Sequence, residues 1–196
     1  MPFRSQLYTN AIQAGELVSK YNQSKSDVLN GQQGPWGHIK QTSRGFCAGA
    51  SVYWIQQRQL GKEFNVDASM NMIPNIGAIV KKHRTQQKSG YKNVVEEGWT
   101  SFEETKTLLG AASAADITRT LAKGRYWLIR FRRDGGAHCT AFERKATGVI
   151  RFFDVNYGEF EFASFERFHA WFYDFVRGSG YHFKYTKDTT LHRIAG

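Results

Sequence analysis

Residues 126–162 read YWLIRFRRDGGAHCTAFERKATGVIRFFDVNYGEFEF, and the period of this stretch decides the fold class. Apolar and polar residues alternate in short runs broken by turn residues, the pattern of half-buried strands. Strands are predicted at Tyr126–Arg132, Ala137–Arg144, Val149–Val155 and Glu159–Phe162. Gly135 with Gly136, the loop Lys145–Gly148, and Asn156-Tyr157-Gly158 supply the turns. If the second and third strands form a hairpin with His138 opposite Asp154, imidazole and carboxylate meet at its open end. A structural hairpin with an incidental histidine fits the same pattern.

Outward from this stretch the period becomes helical. Phe46–Leu60 carries apolar and small residues around most of its circumference, predicting a largely buried helix closed by Gly61. A modest amphipathic helix is predicted at Tyr8–Tyr21, a polar loop at Asn22–Gly45, and a further helix at Ile76–Lys88 after Pro74. Ser101 with Glu104 fits a capping box opening a helical stretch to about Lys123, with Gly110 as a point of division. Ser164 caps a helix to Arg177 ended by Gly178, and Tyr181–Thr186 reads as a closing strand. Helices first and an antiparallel sheet afterwards make an α+β pattern rather than alternating βαβ units. With three prolines among 196 residues and no low-complexity tract, residues 1–196 read as one domain.

Net charge is +10 and aromatics make up 15% of the chain. Such a charge suits contact with anionic surfaces, and equally suits simple solubility. No apolar run approaches the roughly 18 residues of a membrane helix, and the N-terminus has no apolar signal core. Two cysteines do not make a disulfide scaffold, so a reducing compartment is expected.

Chemistry concentrates at Cys47. A thiol attacks well only as thiolate, and an ordinary cysteine is mostly protonated at neutral pH. A helix N-terminus favours the anion, and Cys47 sits at the second position of the predicted helix. Its amides would also suit an oxyanion. A small buried packing cysteine is the plainer alternative. The candidate bases are His38, His83, His138, His169, His182 and His192, of which His138 has Asp154 as a partner across the hairpin. Asn156 is a rival orienting group, read instead as a turn residue. Cys139 and Trp54 are read as packing, and Trp99 as a residue that would suit a cleft wall.

The segment Gly45-Phe46-Cys47-Ala48-Gly49-Ala50-Ser51-Val52-Tyr53-Trp54-Ile55 resembles the nucleophile segment of the YopT/AvrPphB-type cysteine proteases. Phe152-Phe153-Asp154-Val155-Asn156-Tyr157-Gly158-Glu159-Phe160 resembles that family's aspartate segment, with His138 where its histidine falls. The resemblance covers about residues 41–162 and implies a papain-like α+β fold, with N-terminal helices, including a central nucleophile helix, packed on a C-terminal antiparallel sheet. It implies a Cys47–His138–Asp154 triad that hydrolyses a peptide bond in a protein substrate and needs no metal or organic cofactor. Gln41, six residues before Cys47, stands where papain-like enzymes carry an oxyanion glutamine. Val155 replaces the family's proline, so a looser turn is expected after Asp154.

By the same resemblance the chain is a bacterial effector or toxin delivered by a specialised secretion system into a target cell's cytoplasm. A monomer is expected, and nucleic acid is not an expected partner. An anionic membrane surface and an inhibitor or immunity protein are further candidate partners. The same triad would serve a transglutaminase, acyltransferase or glutamine deamidase working through a thioester. The basic charge also fits a binding module with an inactive triad.

Overall fold

The computed structural model describes residues 3–14, 16–20, 47–64, 102–109 and 114–196. Five helices are present in this part of the chain: α1 (Phe3–Gln13), α2 (Cys47–Gln59), α3 (Ala114–Leu121), α4 (Phe165–Gly178) and α5 (Tyr181–Lys184). The strands are β1 (Leu17–Lys20), β2 (Phe102–Leu109), β3 (Tyr126–Arg133), β4 (Gly136–Arg144), β5 (Ile150–Asp154), β6 (Gly158–Phe162) and β7 (Asp188–Ile194). They form one seven-stranded sheet in the order β1-β6-β5-β4-β3-β7-β2, antiparallel at every pair. The α+β class and the four strands expected over residues 126–162 are present.

Strand alternation builds two cores. Tyr126, Leu128, Cys139, Ala141, Phe153 and Val155 face α2, whose Cys47, Ala48, Ala50, Val52, Tyr53, Trp54 and Ile55 join them with Phe64. Trp54 stacks on Phe153 at 6.0 Å between centroids. The intervening Trp127, Ile129, Phe131, Phe142, Ile150 and Phe152 face the other way, onto Leu7 of α1, Ile117 and Leu121 of α3, and Phe168, Phe172 and Phe175 of α4. Phe152 meets Phe168, Trp171, Phe172 and Phe175 at 5.5–6.0 Å, mostly edge to face, the arrangement aromatic quadrupoles prefer. Among the described residues the aromatic side chains are thus largely core.

The helix ends follow their sequence signals. After α2, the Gly61 N–H reaches Arg58 O and the Lys62 N–H reaches Gln57 O, a Schellman cap with Gly61 at φ 68°. Ser164 caps α4 by accepting from the Arg167 N–H at 3.4 Å. Gly178 still belongs to that helix; the left-handed residue is Gly180, at φ 74°. Gly158 has no substitute, since a Cβ there would lie 2.0 Å from Ser19 O of the neighbouring strand.

Three expected elements are corrected. The helix read over Tyr8–Tyr21 is α1 followed by β1, because Leu17–Lys20 finds a partner edge in β6. The helix read from Ser101 to Lys123 divides into β2 and α3. Here pairing of Phe102–Leu109 with β7 overrides local helix signals. The strand read at Tyr181–Thr186 is helical as α5, and the sheet strand lies at Asp188–Ile194 between β3 and β2. The helix expected at Ile76–Lys88 and the loop at Asn22–Gly45 lie outside the described residues.

Beside α2 lies a charged cluster. Arg58 bonds Glu143 at 2.8 Å and Glu63 at 3.0 Å. Arg151 pairs with Glu63, Glu159 and Glu161. Glu159 is 0% exposed, and its Oε2 accepts no hydrogen bond among the described residues. Burial pushes its carboxyl up to about 7 from the ordinary 4.5, against the opposing charges of Arg151 and Arg58. The folded state therefore holds this proton more tightly than the unfolded chain. The associated stability is complete below about 4.5 and is lost as pH rises through about 7. Glu159→Gln is expected to unfold at higher urea than wild type at pH 8, by on the order of 1–3 kcal/mol. The difference should vanish near pH 4.5, and a gap independent of pH would contradict this account.

Candidate active site

The buried nucleophile helix comes first. Cys47 is the first residue of α2, where backbone amides lack intrahelical partners and the dipole favours negative charge. One turn on, the Ser51 hydroxyl donates to Cys139 O at 3.1 Å, fixing this end of the helix against β4. Cys47 is 5% exposed and shares its cluster with Cys139; the two are not joined in a disulfide.

His138 and Asp154 come from the adjacent hairpin. The β4–β5 register pairs Ala141 with Phe153, Phe142 with Phe152 and Arg144 with Ile150. Asp154 therefore falls level with Thr140, not directly opposite His138 as the sequence suggested. The slip is two residues, which preserves the face and leaves His138 and Asp154 as diagonal neighbours. His138 stands beyond the last ladder pair, within reach of Asp154 at the end of β5 and of Cys47 at the start of α2. Its Nε2 lies 3.0 Å from Asp154 Oδ1 and 3.1 Å from Oδ2. That leaves Nδ1 as the ring nitrogen for the Cys47 sulfur, whose charge favours the imidazolium. The three side chains form one buried run at 5%, 3% and 0% exposure.

Asp154 is held from two more sides. Its Oδ1 accepts the Asn156 backbone N–H at 2.7 Å, and its Oδ2 accepts the Tyr181 hydroxyl at 2.9 Å. The turn after it is tight, closed by the Tyr157 N–H on Asp154 O at 2.9 Å, with Val155 fully buried under α2. The looser turn expected from Val155 is thus corrected: the side chain fills the core instead. Tyr8 of α1 donates its hydroxyl to Tyr157 O at 2.7 Å, tying the turn to the first helix.

These contacts favour charge separation. A hydrogen bond from the Cys139 thiol does most to hold the Cys47 thiol well below its ordinary value. Burial opposes this, and the charge and hydrogen bond of His138 and the Cys139 backbone add to it. For His138, burial alone would disfavour the cation; the charges of Asp154 and Cys47 and their hydrogen bonds overcome it and push the ring up to about 10. A thiolate beside an imidazolium is the state these neighbours select at neutral pH.

The other candidates fall elsewhere. Gln41, His38, His83 and Trp99 lie outside the described residues. His169 contacts Thr118, and His182 approaches Val176 O. Asn156 shapes the turn and bonds Tyr181 rather than the imidazole. Trp54 is core, as read. Cys139 does face away from the His138 side of its strand, but that face carries α2, so it lies against Cys47 instead of packing inertly. Tyr181 and Tyr185 line His138, at 5.3 Å and 6.2 Å between centroids, and neither was marked by a motif. Among the described residues no cluster of His, Cys, Asp and Glu is arranged to hold a metal.

A family model described as Yersinia/Haemophilus virulence surface antigen, a peptidase family, matches residues 13–193. Among solved structures the chain is similar to the Pseudomonas avirulence protein AvrPphB, with a TM-score of 0.63 and 17% identity over 93% of this chain and 99% of that one. It is also similar to PatoxP, a cysteine protease-like domain of the Photorhabdus asymbiotica toxin PaTox, with a TM-score of 0.52 and 14% identity. That match covers 97% of this chain and 59% of the other. At these identities the likeness is one of fold. No curated protein matches the chain.

Cys139→Ala removes the neighbouring thiol that does most to lower the Cys47 thiol. The pH midpoint at which iodoacetamide begins to alkylate Cys47 is expected to rise, measured by peptide mass spectrometry across a pH series. An unchanged midpoint in the folded variant would show that the second thiol does not stabilise the first as an anion.

Proposed function

The chain belongs to the Yersinia/Haemophilus virulence surface antigen family, the YopT/AvrPphB-type cysteine proteases, and from that membership we propose that it is a thiol endopeptidase with Cys47 as nucleophile, His138 as acid–base and Asp154 orienting the ring. The observation that supports this reading is the buried His138–Asp154 hydrogen bond with Cys47 at the start of α2 close enough for its charge and that of His138 to stabilise each other. In the proposed reaction the Cys47 sulfur adds to the scissile carbonyl carbon. As the C–N bond breaks, His138 passes its proton to the leaving amine, and a thioester remains. Water then gives a proton to the neutral ring while its oxygen attacks the thioester. The C–S bond breaks, and the thiolate–imidazolium pair returns. Asp154 keeps Nε2 as the proton-bearing nitrogen, so that Nδ1 meets the sulfur.

Amides of the first turn of α2, with the Gln41 side chain, are the proposed oxyanion donors. We take residues 1–196 as one papain-like protease domain. The family is one of bacterial virulence effectors, and its members' protease-like character points to protein substrates. Delivery by a specialised secretion system into a target cell is the corresponding proposal for this chain. Among the described residues no helix is long and apolar enough to cross a membrane. The net charge of +10 suits docking on an anionic membrane surface near a protein target.

The test is N-terminal peptide profiling of a cell lysate treated with wild type or Cys47→Ala. New protein N-termini are expected with wild type alone, with turnover falling about a thousand-fold or more in the variant. A folded Cys47→Ala protein that still cleaves would remove the mechanism. Mass shifts on intact chains without new termini would replace hydrolysis by acyl transfer or deamidation through the same thioester.

A further inference from the structure

We propose that Tyr181 is a positioning residue of this site: its hydroxyl pins the Asp154 carboxylate in the orientation that holds His138 against Cys47. The inference rests on the protease reading above and adds a residue that no motif marks. Gly180, at φ 74°, turns the chain back after α4 so that Tyr181 enters the sheet side of the molecule as the first residue of α5. The phenol is buried among Phe131, Tyr157, Phe175 and Tyr185, at 5.1–6.2 Å between ring centroids.

Its hydroxyl closes a ring of hydrogen bonds. It donates to Asp154 Oδ2 at 2.9 Å and accepts from Asn156 Nδ2 at 3.1 Å, while the Asn156 backbone N–H takes Asp154 Oδ1 at 2.7 Å. Each carboxylate oxygen thus has its own fixed donor, and His138 Nε2 sits between them at 3.0 and 3.1 Å. Rotation of the carboxylate about its Cβ–Cγ bond breaks at least one of these bonds. A ring present only for packing would need no hydroxyl aimed at a fully buried carboxylate. Burial, reinforced by the neighbouring Asp154 charge, holds the phenol well above its ordinary range, so it remains a donor at any working pH. The titratable groups around His138 are Asp154 from β5, Cys47 from α2, its own neighbour Cys139, Tyr181 from α5 and Tyr185 just after it. Arg133 faces Tyr185 in turn.

The experiment needs no substrate. Iodoacetate is an anionic alkylating reagent, so its rate at Cys47 rises as the thiol ionises and falls as the neighbouring imidazolium loses its proton. Mass spectrometry of digested protein separates alkylation of Cys47 from that of Cys139. Wild type should give a bell whose alkaline limb lies near the His138 value of about 10. In Tyr181→Phe the carboxylate is free to turn and supports the cation less. The alkaline limb should fall by about one pH unit, with near-UV circular dichroism unchanged. Asn156→Ala, which removes the amide that orients the hydroxyl, should move the limb less and in the same direction. It decides the matter if Tyr181→Phe does not fold. An unmoved limb in the folded variants would reduce Tyr181 to packing, and an upward shift would make its hydroxyl a screen of the carboxylate rather than a clamp; either overturns the proposal. If wild-type Cys47 itself alkylates like an ordinary thiol, with no bell, the triad reading fails, and this inference with it.

Discussion

The site depends on keeping ionised groups out of water. Sulfur, imidazole and carboxylate are all nearly inaccessible, and burying charge is costly unless each group meets a fixed partner. The structure meets that demand with donors. The sulfur has the Cys139 thiol, the His138 ring and the first turn of α2. The carboxylate has the ring, one backbone N–H and one phenol. Partners fixed by folding need not reorganise during a reaction, which is the advantage of a preorganised polar site over water.

Such partners hold position only if the scaffold does. The sheet separates two cores, and α2 alone among the described helices lies on the Cys47 side. The other helices press apolar side chains, those of α4 mostly aromatic, against the opposite face, where Tyr181 and Tyr185 continue the ring-on-ring packing up to His138. The aromatic core and the imidazole's surroundings are therefore one packed body. That is why Tyr181 of α5 and Tyr185 just after it, distant in sequence from Cys47, line His138 at all.

Much of this was legible in the sequence, for identifiable reasons. Local signals sufficed where element and environment agreed: the β3–β6 alternation, the Gly61 cap, the Ser164 cap and the all-round apolar surface of α2. The hairpin's turn residues brought His138 and Asp154 to the same end, and strand parity put them on one face despite the two-residue slip. Local signals failed where a partner edge decided. Residues 17–20 and 102–109 are strands because β6 and β7 offer them ladders, and no window around either shows this. Tyr181 was invisible for a similar reason. Its meaning lies in one hydroxyl contact made across 27 residues of chain. Cys139 was assigned the right face by alternation, but what covers that face depends on where α2 docks.

The charged cluster near the other end of α2 completes the same logic. Arg58 lies in the last turn of the helix, where a cation suits the dipole, and it reaches Glu143 on β4, the strand that also carries His138. Ser51 binds that strand at Cys139, nearer the sulfur. The helix is thus tied to one strand at two heights, and sliding along its axis would break both ties. Buried ion pairs are poor sources of stability compared with apolar packing, and Glu159 sits here with an oxygen unsatisfied. A costly polar arrangement at this place makes physical sense as a fixer of register. Apolar contacts between α2 and the sheet would tolerate a shift of an ångström or so, whereas a sulfur in hydrogen-bonding reach of an imidazole would not.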